Sequence, residues 1–136
     1  MPNRLRAAVT ATPVFLALIA LSAPADADVT ATPPAPSVLE VGARYGQALG
    51  ALEVCYGSKL TEKGKALDAA FTGSDHDKFK AQAAKIFDMW QKVKGCTNQR
   101  DPNQCKIIMD KSCLAAENEI GQAGTAMPGL VEFVKH

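Results

Sequence analysis

Residues 38–56 read VLEVGARYGQALGALEVCY, and the spacing of their apolar side chains decides the fold class. Val38, Val41, Tyr45, Leu49, Leu52 and Tyr56 recur at intervals of three and four, which lays them along one stripe of an α-helix. Ser37 stands where an N-cap belongs, and Gly57 where a helix stops. On the flank of the stripe, Gly42, Gly46 and Gly50 follow one another every four residues. Each costs a helix about 1 kcal/mol against alanine, so three at helical spacing call for a compensating contact. The usual one is a smooth groove that lets another backbone lie close. Arg44, Gln47 and Glu53 exclude burial of that groove in lipid. An internal helix crossing is the simpler occupant; a homodimer seam is the alternative.

The pattern continues downstream. Thr61–Phe71 (TEKGKALDAAF) reads as a short helix weakened by Gly64, and Thr72-Gly73 as a turn. Ser74 and Asp77 have capping-box spacing, with Asp75 and Asp77 well placed at a positive helix end. The helix they open carries Phe79, Ala83, Ile86, Trp90 and Val93 on one face. Lys78, Lys85 and Lys92 lie on the other, with Asp88 within reach of Lys85 and Lys92. Gly95 closes it. Asp101-Pro102-Asn103-Gln104 then supplies an N-cap, a first-turn proline and an N3 glutamine. Cys105, Ile108, Met109, Ser112, Ala116 and Ile120 form the expected inner face of this last helix, with Cys113 beside them and Gly121 and Gly124 at its end. Met127–His136 (MPGLVEFVKH) is expected to add an apolar turn or a docked tail, since a lone LVEFV strand has no evident partner. The expected fold is all-α: a single domain over 38–136, built as a small bundle of three to four helices stapled by two disulfides.

Toward the N-terminus, Arg4 and Arg6 precede the apolar run Ala7–Ala23, followed by small residues and acids. This is the pattern of a cleavable signal peptide over residues 1–27. Ala25-Asp26-Ala27 is the preferred cleavage register, because Pro24 disfavours the cut after Ala25. The run is short of the roughly 20 residues a spanning helix needs, and no cysteine lies nearby to take a lipid, so no stable membrane anchor is expected. Residues 28–37 (DVTATPPAPS) form a Pro-rich linker. The expected address is the periplasm or the exterior, an oxidising place where four cysteines pair.

Geometry narrows that pairing. Cys105 and Cys113 are eight residues apart on one expected helix, about 12 Å along its axis and beyond the roughly 7 Å reach of a disulfide. This eliminates 105–113 and with it 55–96. Cys96 ends one helix and Cys105 opens the next, so an antiparallel hairpin brings them level. Pairing Cys96 with Cys113 would instead demand a reach of two to three further turns. The expected bridges are Cys55–Cys113 and Cys96–Cys105.

Removing residues 1–27 takes Arg4 and Arg6 from 15 basic residues and Asp26 from 14 acidic ones, leaving 13 of each. A neutral domain has no single-signed field to attract nucleic acid, so no nucleic-acid partner is expected. The cysteines form neither a C-x-x-C couple nor a common zinc spacing. His76 lies in a capping turn between Asp75 and Asp77, whose side chains point in different directions on a helix; His136 is terminal. Met89, Met109 and Met127 read as gap fillers rather than copper ligands, and Trp90 as core. No catalytic, cofactor-binding or metal-ligating residue is therefore nominated. The expectation is a non-catalytic exported binding or interaction protein, monomeric or homodimeric. A carrier of a small ligand or metal within the bundle is the alternative, and an enzyme is the third reading. Amino-terminal sequencing of the exported protein is expected to start at Asp28 or, failing that, Asp26; a start at Met1 would overturn the leader assignment.

Overall fold

Ser37 accepts the backbone N–H of Glu40 on its hydroxyl (3.2 Å) and starts helix α1, Val38–Val54, in the computed structural model, which describes residues 33–97 and 100–134. The leader assigned to residues 1–27 and the first half of the linker lie outside the described residues. After α1 come a two-residue strand β1 (Lys59–Leu60), a short helix α2 (Glu62–Ala66) running into a 3-10 turn (Leu67–Ala69), helix α3 (Gly73–Lys94), helix α4 (Pro102–Ile120) and strand β2 (Val131–Glu132). The fold is the expected disulfide-stapled helical bundle, with Cys55 joined to Cys113 and Cys96 to Cys105, each at a Cα separation of 5.6 Å.

The glycines of α1 meet α3. A Cβ on Gly42 would lie 2.7 Å from the Phe79 carbonyl oxygen, and one on Gly46 would lie 2.9 Å from Ala83 Cα and nearer still to its carbonyl. One on Gly50 would enter the base of the Trp90 side chain, 2.5 Å from Cδ1. The seam is an internal crossing. Phe79 is fully buried there and packs on Tyr45 and Phe71, ring centroids 5.2 Å away in both cases.

The far side of α1 turns toward α4. Arg44, Ala48, Ala51 and Cys55 follow one another at intervals of four, three and four, with Gln47 beside them on the same side. Arg44 Nη1 and Gln47 Nε2 both donate to Glu119 Oε2 at 2.6 Å, Ala48 and Ala51 are completely buried, and Cys55 carries the bridge to α4. The expected stripe was therefore incomplete: α1 is covered on two sides. Its last member, Tyr56, is exposed, because the chain leaves helical geometry at Cys55 (φ −92°, ψ 114°).

Four other expectations change. Helix α3 begins at Gly73 with Thr72 as N-cap, not at a Ser74 cap. Gly73 takes φ +59°, which turns the chain from extended Thr72 straight into the helix, while Asp75 pairs with Lys78 at 3.1 Å. The segment after Thr61 is not one helix: Thr61 caps α2, and the chain tightens to 3-10 after Ala66. The inner face of α4 is shorter than expected, for only Ala116 and Ile120 are buried while Ile108 is exposed. Finally, the C-terminal segment does form a strand.

That strand has β1 as its antiparallel partner, with Lys59 opposite Glu132 and Leu60 opposite Val131. The chain reverses after α4, with Gly129 (φ +77°) donating to the Gly121 carbonyl at 2.7 Å and Leu130 donating to that of Ile120 at 3.0 Å. Thr61 donates from its hydroxyl to the Gly129 carbonyl (2.6 Å) and from its backbone to that of Leu130 (3.0 Å). Leu130 and Val131, both fully buried, thereby close the core. Each strand is two residues long, too short for an alternating pattern to announce it.

The seam makes a signed prediction. Alanine at position 46 gains about 1 kcal/mol of helix propensity, but its methyl meets backbone that cannot rotate aside, an overpacking cost of about 1–3 kcal/mol. Gly46→Ala is expected to lower the melting temperature, and Gly46→Leu to lower it further, in a protein whose sedimenting mass is unchanged. Higher melting of both variants would show the seam is not tight. Among the disulfides, loss of Cys55–Cys113 through Cys55→Ser with Cys113→Ser is expected to cost about 4 kcal/mol in chemical unfolding, since it closes much the longer loop. Loss of Cys96–Cys105 should cost less.

Candidate functional site

The Cys55–Cys113 bridge lies in the floor of an open groove. Val54, Cys55 and Tyr56 come from the end of α1, Met109, Asp110, Cys113, Leu114 and Glu117 from α4, and Phe133 and Val134 from the chain after β2. The hollow measures about 390 Å³ and shares Glu117 and Phe133 with a second, of about 380 Å³, lined also by Asn118, Gln122, Ala123 and Thr125. Three rim side chains stand in solvent: Tyr56 is 85 %, Leu114 58 % and Val134 49 % exposed. Gly57 permits this arrangement, with φ +71° and a missing Cβ whose place lies 2.7 Å from Val134 Cγ2. Grouped exposed apolar side chains around a concavity are the ordinary mark of an interaction surface.

The charged groups that carry clear pKa shifts lie elsewhere. Lys80 binds Asp68 at 2.6 Å, so its ammonium holds the Asp68 carboxyl below the usual carboxylate range, while the carboxylate raises Lys80. Burial pushes the Tyr45 hydroxyl up, helped by the negative charge of Asp68. Tyr45 and Lys80 border a separate hollow of about 230 Å³ beside Phe87, and none of the three lines the groove. Arg44, Gln47 and Glu119 join α1 to α4; their partial exposure limits the ion pair to about 1 kcal/mol.

The residues weighed as ligands or catalysts remain apart. His76 stands at the start of α3 with its ring 6.5 Å from that of Phe79, and His136 lies outside the described residues. Met127 is buried in the core, Met89 is exposed on α3, and Met109 lines the groove. Trp90 is core, packed on Gly50. Among the described residues no group of three or more His, Cys, Asp or Glu side chains is placed to hold a metal ion, and no helix is long and apolar enough to cross a membrane. Gly42, Gly46 and Gly50 line the α1–α3 crossing, away from the candidate site; of the residues weighed in the sequence as bridges, ligands or packing face, Cys55, Cys113 and Met109 reach it. Leu114, Phe133 and Val134 went unnoticed because Leu114 lies off the inner stripe of α4 and the tail has no period of its own. Comparison with protein-family models, curated proteins and solved structures found no match to the chain.

Proposed function

We propose that this chain is a non-catalytic exported binding protein, periplasmic or secreted after loss of residues 1–27, that takes a protein partner on the groove face of α1, α4 and the tail. The observation that carries the reading is the grouping of exposed Tyr56, Leu114 and Val134 around a concavity floored by a disulfide. The staple supports it in two ways. It gives the groove a rigid base, which reduces the ordering cost of binding, and it keeps both groove sulfurs oxidised, so neither serves as a nucleophile. The alternative of a carrier with its ligand inside the bundle gains little, because the α1–α3 seam is closed by contact of its glycines with Phe79, Ala83 and Trp90.

Export fits the same picture, since two disulfides suit an oxidising compartment. The test is cross-linking in the exported fraction of the native host, with mass-spectrometric identification and then calorimetry on the purified partner. Leu114→Lys with Val134→Asp is expected to weaken that partner's binding at least tenfold, about 1.4 kcal/mol, whereas Lys85→Asp on the exposed face of α3 is expected to leave it unchanged. Equal binding by all three proteins would overturn the assignment of the face.

A further inference from the structure

The two disulfides hold unequally packed parts of the chain. Cys55 is buried, and Cys113 packs against the core one turn before Ala116. Cys96 and Cys105 are only half-buried, and no residue from Pro102 to Lys111 belongs to the core; Ile107 and Ile108 are each 42 % exposed. Farther along α4, an open hollow of about 260 Å³ lies between Ser112 and Ala115 and the α3 residues Met89, Trp90 and Val93. The ion pair Lys106–Asp110 (2.5 Å) is internal to α4 and fastens it to nothing else. The first half of α4 is thus held beside α3 by a covalent bond more than by burial.

We propose that Cys96–Cys105 is a redox-sensitive clip, opened by a dithiol reductant to free the first half of α4, while Cys55–Cys113, the core and the part of α4 from Ser112 onward stay in place. In the first step a thiolate of the dithiol attacks Cys96 Sγ. A new sulfur–sulfur bond forms as the Cys96–Cys105 bond breaks, and Cys105 leaves with the bonding pair as a thiolate. Cys105 sits in the first turn of α4, whose positive end favours that thiolate until it takes a proton. The second thiolate of the dithiol then displaces Cys96 from the mixed disulfide. Two electrons and two protons pass to the protein, which gains two thiols as the reductant closes its own disulfide. On the other bridge burial restricts attack at Cys55 alone, since Cys113 is half-buried like Cys96 and Cys105; re-pairing there is favoured by the core packing that keeps the two sulfurs together.

The protein with both disulfides formed is titrated with dithiothreitol, trapped with iodoacetamide for peptide mapping, and followed by hydrogen exchange at each stage. Cys96 and Cys105 are expected to be alkylated first. In that species amides 106–111 are expected to exchange at least about tenfold faster, while those of α1 and the middle of α3 keep their protection. Cys96→Ser with Cys105→Ser is expected to reproduce that exchange pattern without reductant. The proposal is overturned if the two bridges open together, if Cys55–Cys113 opens first, if protection falls across the whole domain, or if amides 106–111 are unchanged once Cys96 and Cys105 are free.

Discussion

Helix α1 has no free side to spare, and the rest of the molecule is arranged around that constraint. Its glycine edge admits the backbone of α3, and the opposite edge, from Arg44 to Cys55, meets α4. A helix covered on two sides cannot carry large side chains on both without pushing its neighbours apart. Here both sides are built small, with Gly42, Gly46 and Gly50 on one and Ala48 and Ala51 on the other. Small residues bring backbones close and so gain dispersion contacts, but they bury little apolar area each. The bulk of the core comes instead from what surrounds α1: Phe79 and Trp90 on α3, Ile120 on α4, and Leu130 and Val131 after it.

That division of labour explains which features were legible in the sequence. Glycines repeated every four residues carry a local cost, so they advertised a close contact, and the internal crossing was the simpler occupant. The cysteine pairing followed because helix rise and disulfide reach are both fixed lengths. Helix starts were readable where a side chain makes the cap, as at Ser37 and Asp101. Thr72 makes no side-chain cap bond, and there the boundary was missed by two residues.

What sequence could not reveal depends on pairs of segments far apart in the chain. Lys59-Leu60 and Val131-Glu132 become strands only because Thr61 and the turn at Gly129 bring them together. The groove is likewise assembled from three separate stretches, and its exposed side chains interrupt no local pattern. The Arg44–Gln47–Glu119 cluster looks from sequence like the solvated side of two helices. In the fold it ties α1 to α4, with the buried Arg44 Nε finding no hydrogen-bond partner among the described residues.

The two disulfides are nested: the ring closed by Cys96 and Cys105 lies wholly inside the ring closed by Cys55 and Cys113. A single peptide-bond scission anywhere between residues 56 and 112 therefore leaves every part of the domain in one covalent molecule. A chain nicked by a protease in the exposed turn before α3, for example, would keep α1 attached to α4 and remain one particle under non-reducing conditions. For a domain of this size that topology separates backbone continuity from molecular integrity. Damage to the first does not at once become loss of the second.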